Sequence, residues 1–329
     1  MAAPGRNLYE QQLTNRRNTV LVVCGFILFF VLLGLGFDTY LLGFDPLDPG
    51  NSSGIPLPIM TGAAFVFALV AAARSLSSAD AGILASATAT PVDEEDPQFR
   101  QLVNVRDEMS IAAGLPRPRL FLVPDADPNA FATGRDPAHS SIAVTRGLVD
   151  RLSRDELQGV LAHEMSHIRN YDTRLMTVVA ALIGAVMLLT EFGIRVLRFG
   201  GGKKRGSSSK EGGGMGGPLF ILWILGLVLA PVISQLLAMA VSRQREYLAD
   251  ASGAELTRNP AALASALEKI DAATDPTRLI KKGTGHLCIV DPLGAAANER
   301  EGFLADLFGT HPPLRKRITA LKTMAYLPG

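Results

Sequence analysis

Four long apolar stretches constrain the fold of this chain more than any other feature of its sequence. They cover residues 20–37, 55–73, 175–190 and 218–241. A helix needs about 20 apolar residues to cross the hydrocarbon core of a bilayer, and the third stretch reaches that length only if residues up to Phe199 contribute. The pattern predicts a mainly α-helical, multi-pass membrane protein.

Composition agrees with this interpretation and argues against several other classes of protein. The 329 residues are 48% hydrophobic and carry a formal net charge of +1, which gives no sign of nucleic-acid binding. Cys24 and Cys288 form neither a C-x-x-C motif nor a disulfide framework, so any metal site must use His, Asp or Glu. Because no cleavage site follows the first stretch, we interpret it as an anchor and not as a removed signal peptide.

The charged residues around these stretches predict an orientation. Three arginines precede the first stretch, three aspartates follow it, and Arg74 closes the second. By the positive-inside rule, the N-terminus and the chain after Arg74 lie in the cytoplasm. A Gly/Ser-rich link at residues 200–217 holds four basic residues, and a hairpin that crosses the membrane would place them outside. Two alternatives stay open, a crossing hairpin and one that enters the membrane without crossing it.

The clearest chemical signal is an H-E-x-x-H motif formed by His163, Glu164 and His167. On an α-helix the two histidines share one face, where they can bind one Zn²⁺ while the glutamate reaches a water bound to it. Ser153 and Glu156 fit a capping box at the start of this helix. No proline follows before the end of the third apolar stretch, so we expect one continuous helix from the motif into that stretch.

A catalytic zinc ion needs three protein ligands and one open position, and Glu246 is our candidate for the third ligand. It lies five residues after the fourth apolar stretch, and His167 lies eight residues before the third. At the helical rise these separations are about 8 Å and about 12 Å, so both side chains leave an antiparallel hairpin on one side at similar height. The alternative is a solvated residue that pairs with Arg243 or Arg245.

Three further candidates each have an ordinary structural alternative. Asp250, one helical turn after Glu246, either orients a ligand histidine or forms a salt bridge with a nearby arginine. His311 either approaches the zinc or the oxyanion, or is a turn residue before two prolines. One predicted strand is either an edge strand that pairs with an extended substrate or a core strand; it comprises Asn129, Ala130, Phe131, Ala132 and Thr133.

These residues together resemble the HtpX-type membrane zinc metalloproteases, which are gluzincins related to the CAAX prenyl proteases. The resemblance covers the H-E-x-x-H motif, residues 129–134, 246–250 and 310–313, and the four apolar stretches. It implies one zinc ion held by His163, His167 and Glu246, a base at Glu164, and an active site at the cytoplasmic face. That family is associated with quality control of membrane proteins under stress.

The expected fold is a zincin-type α+β cytoplasmic catalytic domain whose active-site helices continue into membrane helices. A stretch of small residues at 75–91 predicts a linker before it. The predicted segments are a cytoplasmic N-terminus at 1–19, a membrane hairpin at 20–74, the first part of the catalytic domain at 75–174, a second hairpin with its link at 175–241, and the second part at 242–329.

The function expected is a zinc-dependent endopeptidase of the cell inner (plasma) membrane that hydrolyses peptide bonds of membrane proteins or misfolded proteins. Its partners would be polypeptide substrates and the bilayer. One alternative is a zinc-containing membrane regulator that does not cleave, which a closed site with four ligands would favour. The other is a prenyl-protease-like enzyme of narrow specificity, although those relatives have more membrane spans.

Cysteine labelling decides between the two arrangements of the second hairpin. We expect Ser208→Cys, in a chain whose Cys24 and Cys288 are changed to serine, to react with an impermeant maleimide from the outside of intact cells if the hairpin crosses. Labelling from the cytoplasmic face alone, measured on inverted vesicles, contradicts a crossing hairpin. The same reaction without Ser208→Cys gives the background.

Overall fold

A computed structural model of the protein describes residues 8–51, 54–199, 243–273, 279, 285–290 and 312–326. The link at 200–217, the fourth apolar stretch and His311 lie outside these residues. Within them the fold is mostly helical with one small mixed sheet, which confirms the predicted class in outline.

The described helices and strands follow one another in an order that places four short strands before the motif helix. The helices are α1 (Leu8–Leu41), α2 (Ile59–Ser77), α3 (Ala79–Ser86), α4 (Arg100–Ala113), α5 (Arg146–Arg151), α6 (Arg154–Arg169), α7 (Asp172–Phe199), α8 (Arg243–Thr257), α9 (Pro260–Asp271) and α10 (Leu314–Tyr326). The strands are β1 (Thr90–Pro91), β2 (Arg119–Val123), β3 (Ala130–Gly134) and β4 (Ser140–Thr145).

The chain forms two compact units. One comprises Met1–Thr19, Leu76–Ala181 and Leu236–Gly329, and the other comprises Val20–Ser75 and Leu182–Gln235. The first unit therefore contains the sheet and the motif helix. Residues 1–19, before the first apolar stretch, and residues 76–181, after the second, belong to the same unit.

Among the described residues, two helices have segments that are long and apolar enough to cross a membrane. These segments are Gln12–Tyr40, with mean hydropathy 2.9, and Ile59–Ser77, with mean hydropathy 1.8. Asp38, near the end of the first segment, accepts hydrogen bonds from the backbone N–H groups of Met60 and Thr61 at 2.9 and 2.7 Å. Its carboxylate thus satisfies orphan donors in the first turn of α2.

The sheet has the strand order β1–β2–β4–β3. Strands β2 and β4 are parallel, whereas the pairs β1–β2 and β3–β4 are antiparallel. The linker predicted at residues 75–91 is wrong, because α3 and β1 occupy most of that segment. Ile83 and Leu84 of α3 are buried in a cluster with Val123 and Phe131, so this segment packs against the sheet.

The motif helix α6 lies at the centre of the first unit. Its capping box is present as predicted, with Ser153 and Glu156 bonded to each other's backbone. The apolar side chains of α6, among them Leu157 and Leu161, share one core cluster with Leu263 of α9. This packing buries the residues of α6 from Leu157 to Ile168 except the half-exposed Gln158, and the metal-ligand candidates lie among them.

The predicted continuous helix through the motif is wrong, because α6 ends at Arg169 and α7 begins at Asp172. Tyr171 between them has a left-handed backbone with φ 59°, which interrupts the i→i−4 hydrogen bonds. Side chains of α1 bond the carbonyls of Arg169 and Asn170 at this turn. The distance of about 12 Å between His167 and the third apolar stretch, which assumes one straight helix, therefore does not apply.

We expect Glu156→Gln to destabilise the protein in a pH-dependent way. Burial opposes the charged form, but hydrogen bonds from Lys269, Ser265 and Ser153 lower the pKa of Glu156 to about 2. A lowered pKa contributes stability above the ordinary value near 4.5, and that stability is lost as the pH falls toward 2. The contribution is about 3 kcal/mol at neutral pH.

Thermal unfolding in detergent micelles measures this effect. The melting temperature of Glu156→Gln should lie below that of the wild type at pH 7, and the difference should shrink between about pH 5 and pH 3. Glu255→Gln is the matched control, because Glu255 is an exposed glutamate of α8. An equal loss in both variants, or a constant difference across the pH range, contradicts the assignment.

Candidate metal centre

Helix α6 brings the two motif histidines together in the interior. His163 and His167 are 0% and 4% exposed, and their Nε2 atoms lie 3.2 Å apart. The spacing of four residues places both rings on one face of the helix, as the sequence predicts.

Helix α8 supplies the carboxylate that faces these rings. The Glu246 oxygens lie 3.6 Å from His163 Nε2 and 3.5 Å from His167 Nε2, and Glu246 is 1% exposed. The alternative of a solvated residue is therefore wrong for Glu246, which is buried. All three ligand atoms lie within 4.8 Å of one another.

These separations fit a tetrahedral zinc ion. With zinc–ligand bonds of about 2.0–2.1 Å, two ligands at the tetrahedral angle lie about 3.3 Å apart. The two Nε2 atoms are 3.2 Å apart, and each of them lies 3.5 or 3.6 Å from one of the two Glu246 oxygens, which is close to that value. Two imidazole nitrogens and one carboxylate form a donor set typical of catalytic zinc.

The other ring nitrogen of each histidine faces an aspartate. His163 Nδ1 lies 3.0 Å from Asp250 Oδ1, and His167 Nδ1 lies 3.2 Å from Asp172 Oδ2. Such a carboxylate fixes the ring orientation and leaves Nε2 free to bind a metal. Asp250 thus has the predicted place beside a histidine, whereas the role of Asp172 was missed.

Arg317 of α10 connects the acidic residues of the centre. Its side chain is fully buried and donates two hydrogen bonds to Asp250, at 2.7 and 2.8 Å. It also lies 3.2 Å from Glu246 Oε2 and donates to the Ile289 carbonyl at 2.7 Å. Both interpretations of Asp250 therefore hold at once, since it contacts a histidine and an arginine.

Burial and charge set the protonation of this centre. Burial raises the pKa of Asp250, but the charge and hydrogen bonds of Arg317 outweigh it and lower that pKa to about 2. Burial lowers the pKa of His163. For His167 the effect of burial is outweighed by the hydrogen bond of Asp172 and the charge of Glu246, which raise its pKa to about 9.

The charges of the buried groups around the histidines leave room for a divalent cation. Among the described residues, four carboxylates and two guanidinium groups surround the histidines. With neutral imidazoles, the cluster needs two further positive charges to be neutral. One Zn²⁺ supplies that charge. The six groups belong to Glu164, Asp172, Arg245, Glu246, Asp250 and Arg317.

Glu164 differs from the other carboxylates because no described side chain is hydrogen-bonded to it, although the backbone N–H of Ala132 lies near enough to lower its pKa. It is 1% exposed, and neither of its oxygens has a hydrogen-bond partner among the described residues. Burial is the main reason that its pKa is raised to about 7, with Glu246 adding to the rise while His167 opposes it. An unpaired buried carboxylate of this pKa is suited to accept and release a proton near neutral pH.

Strand β3 lies at the edge of the sheet next to α6. The segment after residue 285 covers part of this edge, because Ile289 donates to the Ala130 carbonyl at 2.9 Å and Phe131 forms a bridge with Cys288. Asn129 Nδ2 donates to the Val290 carbonyl at 3.1 Å. Ala132 opposes Ile142, and its backbone groups point away from β4 because alternate residues of an antiparallel pair face outward.

The structure brings together most of the residues that the sequence singled out. The two histidines, Glu164, Glu246 and Asp250 form one buried cluster. Thr133 is also buried, and its hydroxyl lies 3.0 Å from that of Thr177. Arg317 was not identified, because no spacing in the sequence relates it to the motif, and the contact of Asp172 with His167, five residues before it, was not predicted. The position of His311 lies outside the described residues.

Comparison with known proteins agrees with this geometry. The profile of Peptidase family M48 matches residues 96–325, and the chain belongs to that family. A protein named "Protease HtpX homolog" from Thermoanaerobacter pseudethanolicus is 39% identical over 322 residues, with 97% of this chain and 98% of that protein covered. Another with this name, from Caldanaerobacter subterraneus, is 40% identical over 324 residues, with the same shares covered.

These matches confirm the resemblance to the HtpX type and make the chain a membrane-associated metalloprotease. A solved structure, "Crystal Structure of S. mikatae Ste24p", is 20% identical with a TM-score of 0.48, and the match covers 95% of this chain and 66% of that one. The family assignment rests on the sequence matches alone.

We expect Gly253→Val to weaken the metal centre by separating α8 from α6. A Cβ at Gly253 would lie 3.1 Å from the backbone nitrogen of His163, so a larger side chain must push the helices apart and move Glu246 from the histidines. Overpacking of this kind costs about 1–3 kcal/mol, and zinc affinity measured by chelator competition should fall about tenfold.

Gly82→Val is the matched control, because Gly82 is also helical and a Cβ there meets nothing within 4 Å. Its zinc affinity should equal that of the wild type. If folded Gly253→Val protein binds zinc with wild-type affinity, the close packing at Gly253 does not determine the zinc affinity of the site.

Proposed function

We propose that the protein is a zinc-dependent endopeptidase with one zinc ion per chain, held by His163, His167 and Glu246. The observation that carries this proposal is the convergence of the two Nε2 atoms and the Glu246 carboxylate, whose ligand atoms lie within 4.8 Å of one another. Zinc bound there lowers the pKa of a coordinated water and polarises the scissile carbonyl.

Glu164 is the general base of this proposal. Its carboxylate takes a proton from the attacking water and gives it to the leaving amine. Burial and the lack of a hydrogen-bonded side chain among the described residues leave both oxygens available for this transfer. His311 remains a candidate for contact with the zinc or the oxyanion.

Substrates would bind as an extended chain along β3. Ala132 lies beside Glu164, and its backbone groups point outward at this edge. Its N–H lowers the pKa of the Glu164 carboxyl. An added strand gives main-chain hydrogen bonds that do not depend on substrate sequence. Such binding suits a protease that acts on membrane proteins or misfolded proteins.

The proposed setting is the cell inner membrane, with several spans and the catalytic part in the cytoplasm. The arginines around the first two stretches support this orientation, as does the single unit that contains residues 1–19 and 76–181. We propose the same division of the chain into five segments, with membrane hairpins at 20–74 and 175–241 and the remaining three segments in the cytoplasm. A regulator that binds zinc without cleaving, and a prenyl-protease-like enzyme, are the alternatives to be tested.

We expect Glu164→Gln to retain one zinc ion per chain and to lose cleavage. Glutamine keeps the size of the side chain but cannot take the proton, so cleavage of unfolded casein should fall at least about 100-fold. The measurements are zinc content and product formation by purified protein in detergent micelles. Glu255→Gln is the active control, and chelation of wild-type protein should abolish cleavage until zinc is restored.

Proteolysis at the wild-type rate by Glu164→Gln rules out this base. Bound zinc without cleavage by the wild type supports the regulator, and cleavage confined to prenylated peptides supports the narrow alternative.

A further inference from the structure

The turn that ends the motif helix is held by the start of the anchor helix. Gln12 Nε2 donates to the Arg169 carbonyl at 2.9 Å, and Asn15 Nδ2 donates to the Asn170 carbonyl at 2.9 Å. The Arg16 guanidinium lies 4.7 Å from the centre of the Tyr171 ring. The three side chains of α1 share one helical face and contact three successive residues of the turn.

This turn has a conformation that needs support. Tyr171 has a φ of 59°, a left-handed backbone that costs about 1–3 kcal/mol for a residue other than glycine. The carbonyls of Arg169 and Asn170 lack the helical partners that a continuous helix would give them. The contacts of Gln12 and Asn15 replace those partners.

Asn15 makes one contact that reaches the metal centre. Its Nδ2 donates to Asp172 Oδ1 at 2.7 Å, while Asp172 Oδ2 lies 3.2 Å from His167 Nδ1. Both Asn15 and Asp172 are buried, at 2% and 0% exposed. The other group near Asp172 Oδ1 is Arg245 Nε at 3.5 Å, which is longer than the bond from Asn15. Asn15 therefore holds the carboxylate that orients His167.

We propose that Asn15 is a positioning residue for the metal ligand His167, acting through Asp172. The helix that begins the anchor thereby supports the metal centre. Without the Asn15 amide, Asp172 Oδ1 keeps only the longer contact to Arg245 among the described residues, and the carboxylate can turn away from the imidazole. The inference rests on the proposed zinc site, and it concerns how that site is held and not which reaction it performs.

The test compares Asn15→Ala with Gln12→Ala in the full-length protein. Both variants lose a hydrogen bond between α1 and the turn, but only Asn15 contacts Asp172. Zinc affinity, measured by competition with a chelator, should fall about 10–100-fold in Asn15→Ala, as for the loss of other groups that orient a ligand. It should stay within about twofold of the wild type in Gln12→Ala, since the support of His167 remains.

A cobalt-substituted protein gives a second readout that does not depend on catalysis. The visible absorption bands of Co²⁺ should change in Asn15→Ala and match the wild type in Gln12→Ala. The melting temperature of the metal-free proteins shows whether either variant is merely destabilised. If Asn15→Ala does not fold, the nearly isosteric Asn15→Leu removes the same donor while it keeps the buried volume.

The outcomes separate this inference from the proposed function. Wild-type zinc affinity and cobalt spectrum in folded Asn15→Ala or Asn15→Leu overturn the positioning role and leave the zinc site intact. Equal losses in the Asn15 and Gln12 variants also overturn it, because they assign the effect to the turn as a whole. Failure of the wild type to bind zinc refutes the proposed function itself.

Discussion

The interior of the catalytic unit contains more negative than positive charge, and the arrangement of the metal centre follows from how that charge is balanced. Four carboxylates and two guanidinium groups surround two buried imidazoles. An unpaired buried charge costs several kcal/mol, so the groups pair through Arg317 and Arg245. Where pairing is incomplete, raised pKa values of Glu164 and His167, about 7 and about 9, favour protonation. A divalent cation removes the need for those protons.

Segments that lie far apart in the chain build this balance. The motif helix α6 gives the histidines and the proposed base, α8 gives the proposed carboxylate ligand, and α10 gives the arginine that joins two acids. Asn15 is 157 residues from Asp172 in sequence, yet the two are in hydrogen-bond contact. The centre is therefore complete only when residues before the first apolar stretch and residues near the C-terminus have met.

Local sequence rules succeeded where the interaction is local. The capping box predicted the start of α6, and the H-E-x-x-H spacing predicted one face with both histidines. The same rules failed at Tyr171, because neither proline nor glycine marks the break. Side chains of α1 bond the carbonyls freed at that turn, and such a partner cannot be seen from the residues around the turn. The prediction of a linker at residues 75–91 failed for a similar reason, because packing against the sheet stabilises a helix there.

The sequence by itself determined the membrane character, the motif helix and the set of metal-ligand candidates, because hydropathy and helical spacing act over a few residues. It also placed Asp250 one turn from Glu246, where the choice between a histidine and an arginine stayed open. Only the tertiary structure decided that Asp250 contacts both, that Asp172 orients His167 and that Arg317 joins the acids. Those contacts depend on which distant segments are buried together, and burial gives each charge a partner that no local pattern specifies.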